Sequence, residues 1–243
     1  MTAALVTRPA TVAKVTMEAL RKLGYEAWHE PLLTVEPTGN PRPEAGDIQA
    51  VMLTSQNALW ALRESACRVG DLLKKPCFCV GERTAEAARE AGFLHVKASP
   101  GGGETLGRSI REYLGPSASL LHIAGETVAA APQEYLSGDG GKIVSWRIYR
   151  AFEATEFSTA LRERLNRREL CAALFYSPRT ARVFVKLAAI YKLEACCKEL
   201  TAIGINEAVV SALEVLPWAR AIAADVPAEA AMMACLQRYC PVS

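Results

Sequence analysis

The sequence predicts an α/β protein of two similar domains, each a parallel sheet with helices on both faces. Short apolar segments alternate with longer stretches of helical periodicity, and strand, helix, strand in series builds parallel sheets. The second half also repeats the first. QAVMLTSQNALWAL, FCVGERTAEAAREAGF and VKASPGGGETLGRSI correspond to CAALFYSPRTARVFVKL, TAIGINEAVVSALEVL and AIAADVPAEAAMMACL, pairing Ser55 with Ser177 at an offset of 122 and Gly81 with Gly204 at 123. A weaker correspondence aligns LVTRPATVAKVTMEALRKLGYEAWHEPL with LLHIAGETVAAAPQEYLSGDGGKIVSWRIY, pairing Gly24 with Gly141 and giving each unit about five strands.

The first strand, Ala3–Val6, leads into a helix over Ala10–Leu23, whose Val12, Val15, Ala19, Leu20 and Leu23 form a core-facing stripe and which stops at Gly24. Strands follow at Glu26–Glu30, Ala50–Thr54, Cys77–Val80, Leu94–Lys97 and Leu120–Ile123, with helices over Asn57 to Arg68, Glu82–Ala91 and Thr105–Tyr113. The second half has strands at Lys142–Trp146, Ala172–Tyr176, Thr201–Ile203 and Ala221–Ala223, and helices over Arg179–Ile190 and Glu207–Leu216. The cluster Arg162, Arg164, Arg167 and Arg168, set among Glu163 and Glu169, reads as a solvated helix face.

Two segments break the alternation. Leu33–Pro43 is dense in Pro, Gly and Asn, and Ile148–Thr155 is extended with no helix signal, so both read as crossings between domains. If both cross, the first strand, helix and strand belong with the C-terminal half. The expected organisation is then a discontinuous domain of residues 1–35 plus 153–243 around a continuous domain of 39–148, with linkers at 33–39 and 148–154.

Length and composition bound the function. The 243 residues fit one large domain or two small ones, and 51% hydrophobic with 22% charged residues is an ordinary globular balance. The net charge is +2, with 28 basic and 26 acidic residues interspersed, which speaks against wholesale binding to nucleic acid or a membrane surface. The N-terminus lacks the features of a signal peptide and no apolar run approaches a membrane span, so a cytoplasmic protein is expected. Of the eight cysteines, Cys77, Cys79, Cys171 and Cys235 lie in apolar runs and read as buried thiols. Neither Cys77-Phe78-Cys79 nor Cys196-Cys197 has CxxC spacing, and His29, His95 and His122 form no HxxxH pair, so no metal site is expected.

In open parallel sheets, ligands bind beyond the carboxyl ends of strands, where helix N-termini present N–H groups. The polar motifs here lie at those ends: Thr7-Arg8-Pro9, Thr54-Ser55-Gln56-Asn57, Gly81-Glu82-Arg83-Thr84, Gly125-Glu126-Thr127, Ser177-Pro178-Arg179-Thr180 and Gly204-Ile205-Asn206-Glu207. Each one alone is explained as a helix cap or a tight turn. Together, at equivalent points of two copies, they would form an inward-facing ring of amide and hydroxyl donors across a cleft, suited to a polyanion. Ser99-Pro100-Gly101-Gly102-Gly103 lacks the GK[ST] of a phosphate loop and reads as a flexible connection. No GxGxxG follows a strand and no GxSxG occurs, which disfavours a dinucleotide site and a serine nucleophile. Tyr149 ends a strand and opens a crossing segment. It is either an amphipathic filler or a phenol that donates a proton in the cleft.

The order LVTRP, LTSQNA, VGERTAEAAREAG, WRIYRA, FYSPRTARVF and AIGINEAV resembles the uroporphyrinogen-III synthase family, over almost the whole chain. The resemblance implies two flavodoxin-like, doubly wound parallel-sheet domains joined by a two-stranded linker, with the N-terminal segment in the C-terminal domain. It implies a cytosolic, monomeric enzyme without cofactor or metal, a carbon–oxygen hydro-lyase. Its substrate would be hydroxymethylbilane, cyclised to uroporphyrinogen III with inversion of the D ring and loss of water, towards haem, sirohaem and cobalamin. Tyr149 matches a family tyrosine proposed to assist departure of the hydroxyl. Arg8, Thr54, Ser55, Asn57, Gly81, Thr84, Gly125, Ser177, Arg179, Gly204 and Asn206 are then the expected substrate-binding residues. One departure stands out: Asn206-Glu207 replaces the family's hydroxyl pair, and Glu207 would repel an anion. Two other readings stay open, a bilobed binding protein without turnover and a regulatory domain descended from the synthase.

Overall fold

The computed structural model describes residues 2–44, 46–65, 69–99, 103–127 and 141–242. Cys67, the expected helix end at Arg68, Gly101 and Gly102, and most of ETVAAAPQEYLSGDGG lie outside the described residues.

The described elements of the first half are β1 (Ala3–Val6), α1 (Ala10–Lys22), β2 (Glu26–His29), β3 (Leu33–Pro37), β4 (Ala50–Leu53), α2 (Gln56–Glu64), α3 (Gly70–Leu73), β5 (Pro76–Val80), α4 (Glu82–Glu90), β6 (His95–Ser99), α5 (Gly103–Leu114) and β7 (Ser119–Gly125). Those of the second are β8 (Lys142–Glu153), α6 (Thr159–Asn166), β9 (Leu170–Phe175), α7 (Pro178–Ile190), a 3₁₀ turn at Glu194–Glu199, β10 (Thr201–Gly204), α8 (Glu207–Ser211), β11 (Arg220–Ala223) and α9 (Glu229–Tyr239).

The chain divides into two compact units, Met1–Thr34 with Phe152–Ser243, and Val35–Ala151. The first unit holds a five-stranded sheet in the order β11-β10-β9-β1-β2, with every pairing parallel. The chain winds one way from β1 to β2 and the other from β9 through β11, so the direction reverses between β1 and β9. The second unit carries the order β3-β8-β7-β4-β5-β6, parallel from β8 to β6. Begun at β7, this spatial order is that of the first unit begun at β1: β7 and β8 stand for β1 and β2, and β4, β5 and β6 for β9, β10 and β11. The two units are thus circular permutations of one doubly wound pattern. That is why the stronger repeat runs in chain order while the weaker one pairs the start of the chain with its middle.

The central strands of each sheet are buried on both faces, and such strands read as unbroken apolar runs. In the first unit, Leu5, Ala173, Phe175 and Ala202 face α6 and α7, while Ala4, Val6, Ala172, Leu174 and Ile203 face α1 and α9. In the second, Val51, Leu53, Cys77, Cys79, Leu121 and Ile123 pack under α2 and α4, and Ala50, Met52, Phe78 and Leu120 pack under α5. An aromatic cluster anchors the first unit. Phe184 lies 5.1 Å from Phe157, 5.3 Å from Phe175 and 5.5 Å from Trp218, centroid to centroid. The described cysteines are free thiols, with Cys77, Cys79 and Cys235 buried and Cys171 half-buried.

The structure adds to the sequence reading at two places and departs from it at two. Leu33–Pro37 is a strand: Leu33 and Val35 are buried while Thr34 and Glu36 are exposed, and the proline comes only at its end. Residues 148–153 continue β8 as one twelve-residue strand, so Tyr149 lies within a strand and not at its end. Hydrogen bonds from Thr38 N to Ile148 O and from Ala154 N to Leu32 O tie the two antiparallel. The helix expected over Glu207–Leu216 stops at Ser211. Leu213 and Leu216 remain buried because turns bonding Leu213 N to Val210 O and Leu216 N to Leu213 O keep them on the side a helix would have. Arg164 is no solvated surface residue: it pairs with Glu26 at 2.7 Å and lies over the Trp28 ring.

Candidate active site

The reversal points define where each unit can hold a ligand, because there the loops leave adjacent strands in opposite directions and open a crevice at their carboxyl ends.

In the unit of β4 to β8 the reversal falls between β4 and β7. Thr54 and Ser55 leave β4, and Ser55 Oγ accepts from Asn57 N at 3.2 Å, capping α2. Gly125 ends β7. Its register partner is Tyr149, and the pairing shifts by one residue between Ala124 and Gly125. This β-bulge puts an extra residue into β8 and turns Tyr149 onto the face of Trp146 and Ile148, against whose cluster it packs. A Cβ on Gly125 would come within 2.7 Å of the Tyr149 ring, so only glycine lets the phenol lie there. Glu126 N donates to Tyr149 O at 2.8 Å and Arg147 donates to Gly125 O at 2.8 Å, which fixes the end of β7. One strand over, Gly81 caps α4 and donates its N–H to Ser99 O, while Thr84 is buried in the first turn of that helix.

On the opposite sheet face sits a residue that motif reading passed over. His122 lies within the apolar strand SLLHIAG, fully buried, with Nε2 3.2 Å from Thr54 Oγ1. Burial, and secondarily the charge of Arg147, lower its pKa to about 4, so the imidazole is neutral near pH 7. The sequence signal was there, a lone polar side chain in a strand buried on both faces. Metal-ligand spacing does not single it out.

In the other unit the reversal falls between β1 and β9. Arg8 is 7% exposed. Its Nη1 donates to Thr16 Oγ1 at 3.2 Å and pairs with Glu229 Oε2 at 3.4 Å, and its guanidinium lies 4.3 Å from the Tyr176 ring centre. Thr16 donates to Tyr176 Oη, and Tyr176 donates to Glu229 Oε1 at 2.7 Å, closing the network. Burial, then the Glu229 charge, raise the Tyr176 phenol above its ordinary pKa, so it stays protonated. His29 Nε2 lies 2.8 Å from the Arg8 carbonyl, which can only accept, so that nitrogen carries the hydrogen. Ser177 caps α7, accepting from Thr180 N at 3.1 Å, and Arg179 donates to Glu153 at 2.9 Å. At the end of β10, Gly204 admits the close approach of Val209 and Val210, which a Cβ would meet at 3.0–3.1 Å. Asn206 caps the five-residue α8, and Glu207 is exposed at its first position.

The structure therefore gathers Thr54, Ser55, Gly125 and Tyr149 around one reversal point, and Arg8 and Ser177 around the other. It leaves Gly81, Thr84, Gly204 and Asn206 one strand further out. Among the described residues no group of three His, Cys, Asp or Glu side chains is arranged to hold a metal ion, and no helix is long and apolar enough to cross a membrane.

Two doubly wound units with polar side chains at their strand carboxyl ends define a class of α/β proteins that hold small polar ligands at those ends. A sequence model described as uroporphyrinogen-III synthase HemD matches residues 14–234. The chain belongs to the uroporphyrinogen-III synthase family, enzymes of tetrapyrrole synthesis. No curated protein matches the sequence. The uroporphyrinogen-III synthetase of Helicobacter pylori is similar in fold, with a TM-score of 0.63 at 16% identity, covering 98% of this chain and 99% of that one. A mutant uroporphyrinogen III synthase from Thermus thermophilus has a TM-score of 0.58 at 16% identity, covering 98% of both chains.

Proposed function

We propose that this protein cyclises hydroxymethylbilane to uroporphyrinogen III, inverting the terminal D ring and releasing water. The observation that carries the reading is the family match, which runs from residue 14 to residue 234 and so takes in both units.

The chemistry asks for little covalent help. Losing the terminal hydroxyl needs a proton, and the azafulvene that remains is itself reactive. Tyr149 supplies that proton: the phenol donates to the hydroxyl, the carbon–oxygen bond breaks and water leaves, and the phenolate regains a proton as the resulting cation loses its pyrrole N–H hydrogen to give the azafulvene. The bulge in β8 and the missing side chain of Gly125 support this role, because together they hold the phenol over the carboxyl end of β7. The larger task is holding a flexible, carboxylate-rich chain folded for ring closure.

Neutral donors suit that task. Thr54, Ser55, Asn57, Gly81, Thr84, Gly125 and Ser177 stand at strand ends and helix starts, where N–H groups and the helix dipole attract carboxylates without burial of many cations. Arg8 reaches a substrate carboxylate only in exchange for Glu229, as Arg179 does in exchange for Glu153. Gly204 and Asn206 are weaker contributors, since α8 is five residues long and starts at Glu207. The protein works in the cytoplasm as a monomer, without cofactor or metal.

Incubation with freshly generated hydroxymethylbilane, followed by oxidation and isomer analysis, tests the reading. Isomer III is expected, and isomer I alone, the spontaneous product, would overturn it.

A further inference from the structure

His122 takes no part in the proton transfer described above, yet its surroundings are built with care. It is the one polar side chain among Leu120, Leu121, Ile123 and Ala124, in register with Met52 of β4 and Ser145 of β8. Its Nε2 meets Thr54 Oγ1 at 3.2 Å. Its Nδ1 is buried and has no hydrogen-bond partner among the described residues.

An imidazole and a hydroxyl can share that contact in two ways, and the ways differ in what they leave at Nδ1. If Thr54 donates to Nε2, the ring hydrogen sits on Nδ1 as a buried N–H with no acceptor among the described residues, the in-register Ser145 Oγ included. If Nε2–H donates to Thr54, Nδ1 keeps only a bare lone pair. Orphaned buried N–H donors are the rarer case in folded proteins, and unmet acceptors are better tolerated. The charged ring would carry a hydrogen on both nitrogens, but burial and Arg147 keep it neutral.

The direction of this bond decides what Thr54 shows to a ligand. A hydroxyl is one donor and two acceptor lone pairs. Once its oxygen has accepted from His122, the hydrogen is left for something beyond the end of β4. Donating inward instead, Thr54 would present lone pairs, which repel a carboxylate.

We propose that His122 is a positioning residue: its Nε2–H donates to Thr54 Oγ1 and commits the Thr54 hydroxyl hydrogen to a substrate carboxylate. The inference rests on the reading that Thr54 touches the substrate. It adds a buried residue, far from any titration near neutral pH, that sets the polarity of one binding group.

Two measurements test it. Protein labelled with ¹⁵N-histidine reports which ring nitrogen carries the hydrogen, with His122 assigned among the three histidines by the signal lost in His122→Gln. A hydrogen on Nε2 that persists across neutral pH is expected, and a hydrogen on Nδ1 overturns the inference without reference to any substrate. In steady-state kinetics, Thr54→Val is expected to raise KM about tenfold, the loss of one hydrogen bond to a charged group. His122→Leu should raise KM about fivefold with kcat nearly unchanged, and should add nothing in the Thr54→Val background. His122→Gln, whose amide can donate to Thr54, should recover most of the loss. Additive effects of the two substitutions on KM would overturn the link between the residues. If the wild-type protein forms isomer I alone, the synthase reading fails and the substrate half of the inference falls with it, while the spectrum still decides the tautomer.

Discussion

Tyr149, within β8, and Arg8, just beyond β1, face opposite demands. Tyr149 is held by a bulge and by a glycine beneath its ring. Tyr149→Phe should lower turnover without abolishing it, because the geometry that folds the substrate is untouched; an unchanged rate of isomer III formation would remove the phenol from the chemistry. Gly125→Ala tests the same placement from the other side. Its methyl group cannot coexist with the ring, so turnover should fall at least as far as in Tyr149→Phe. Arg8 is instead clamped in the buried network of Glu229, Tyr176 and Thr16. Arg8→Ala removes the cation from a half-buried Glu229 that keeps its bond from Tyr176, and should cost about 1–3 kcal/mol in urea unfolding, besides raising KM. The sequence offered Arg8 as a cation at a strand end. It could not show the partners, since Glu229 lies more than two hundred residues away along the chain.

At the scale of elements, the caps proposed to bind substrate also carry stability. Ser177 Oγ accepts from Thr180 N and also meets the Thr180 hydroxyl at 2.7 Å. Ser177→Ala should therefore lose about 1 kcal/mol of stability, with any increase in KM measured separately on the folded protein. Helix α7 gains its hold from Phe184, packed among Phe157, Phe175 and Trp218. Phe184→Ala should cost about 3–5 kcal/mol in the same assay. The central strands were legible because parallel strands buried on both faces are continuous apolar runs. β3 was not, because its Leu33 and Val35 alternate with exposed residues just before a run of Pro, Gly and Asn. The extent of α8 was misread because turns and a helix bury the same leucines.

For the molecule as a whole, His122 couples stability to pH. The folded ring titrates near 4 and an unperturbed one near 6.5, so between those values the unfolded chain binds more protons. The contribution is fully present above about pH 6.5 and is lost as pH falls towards 4, about 3 kcal/mol in all. Urea unfolding at a series of pH values should show that slope in the wild type and a flatter one in His122→Gln. The shared topology of the two units bears on the whole chain as well. Each has its reversal point between two central strands, and each brings a hydroxyl-bearing helix cap to it, Ser55 in one and Ser177 in the other. The equivalence was visible in the sequence as the offset between those serines.

The sequence by itself determined the α/β class, most strands and helices, the repeat, and the polar residues at strand ends, because periodicity and capping are read within a few residues of one another. Tertiary structure alone decided the strand order, the bulge that turns Tyr149, the burial of Arg8 and the contact of His122 with Thr54. Each of these depends on which distant strand or helix lies alongside, and no local pattern carries that information.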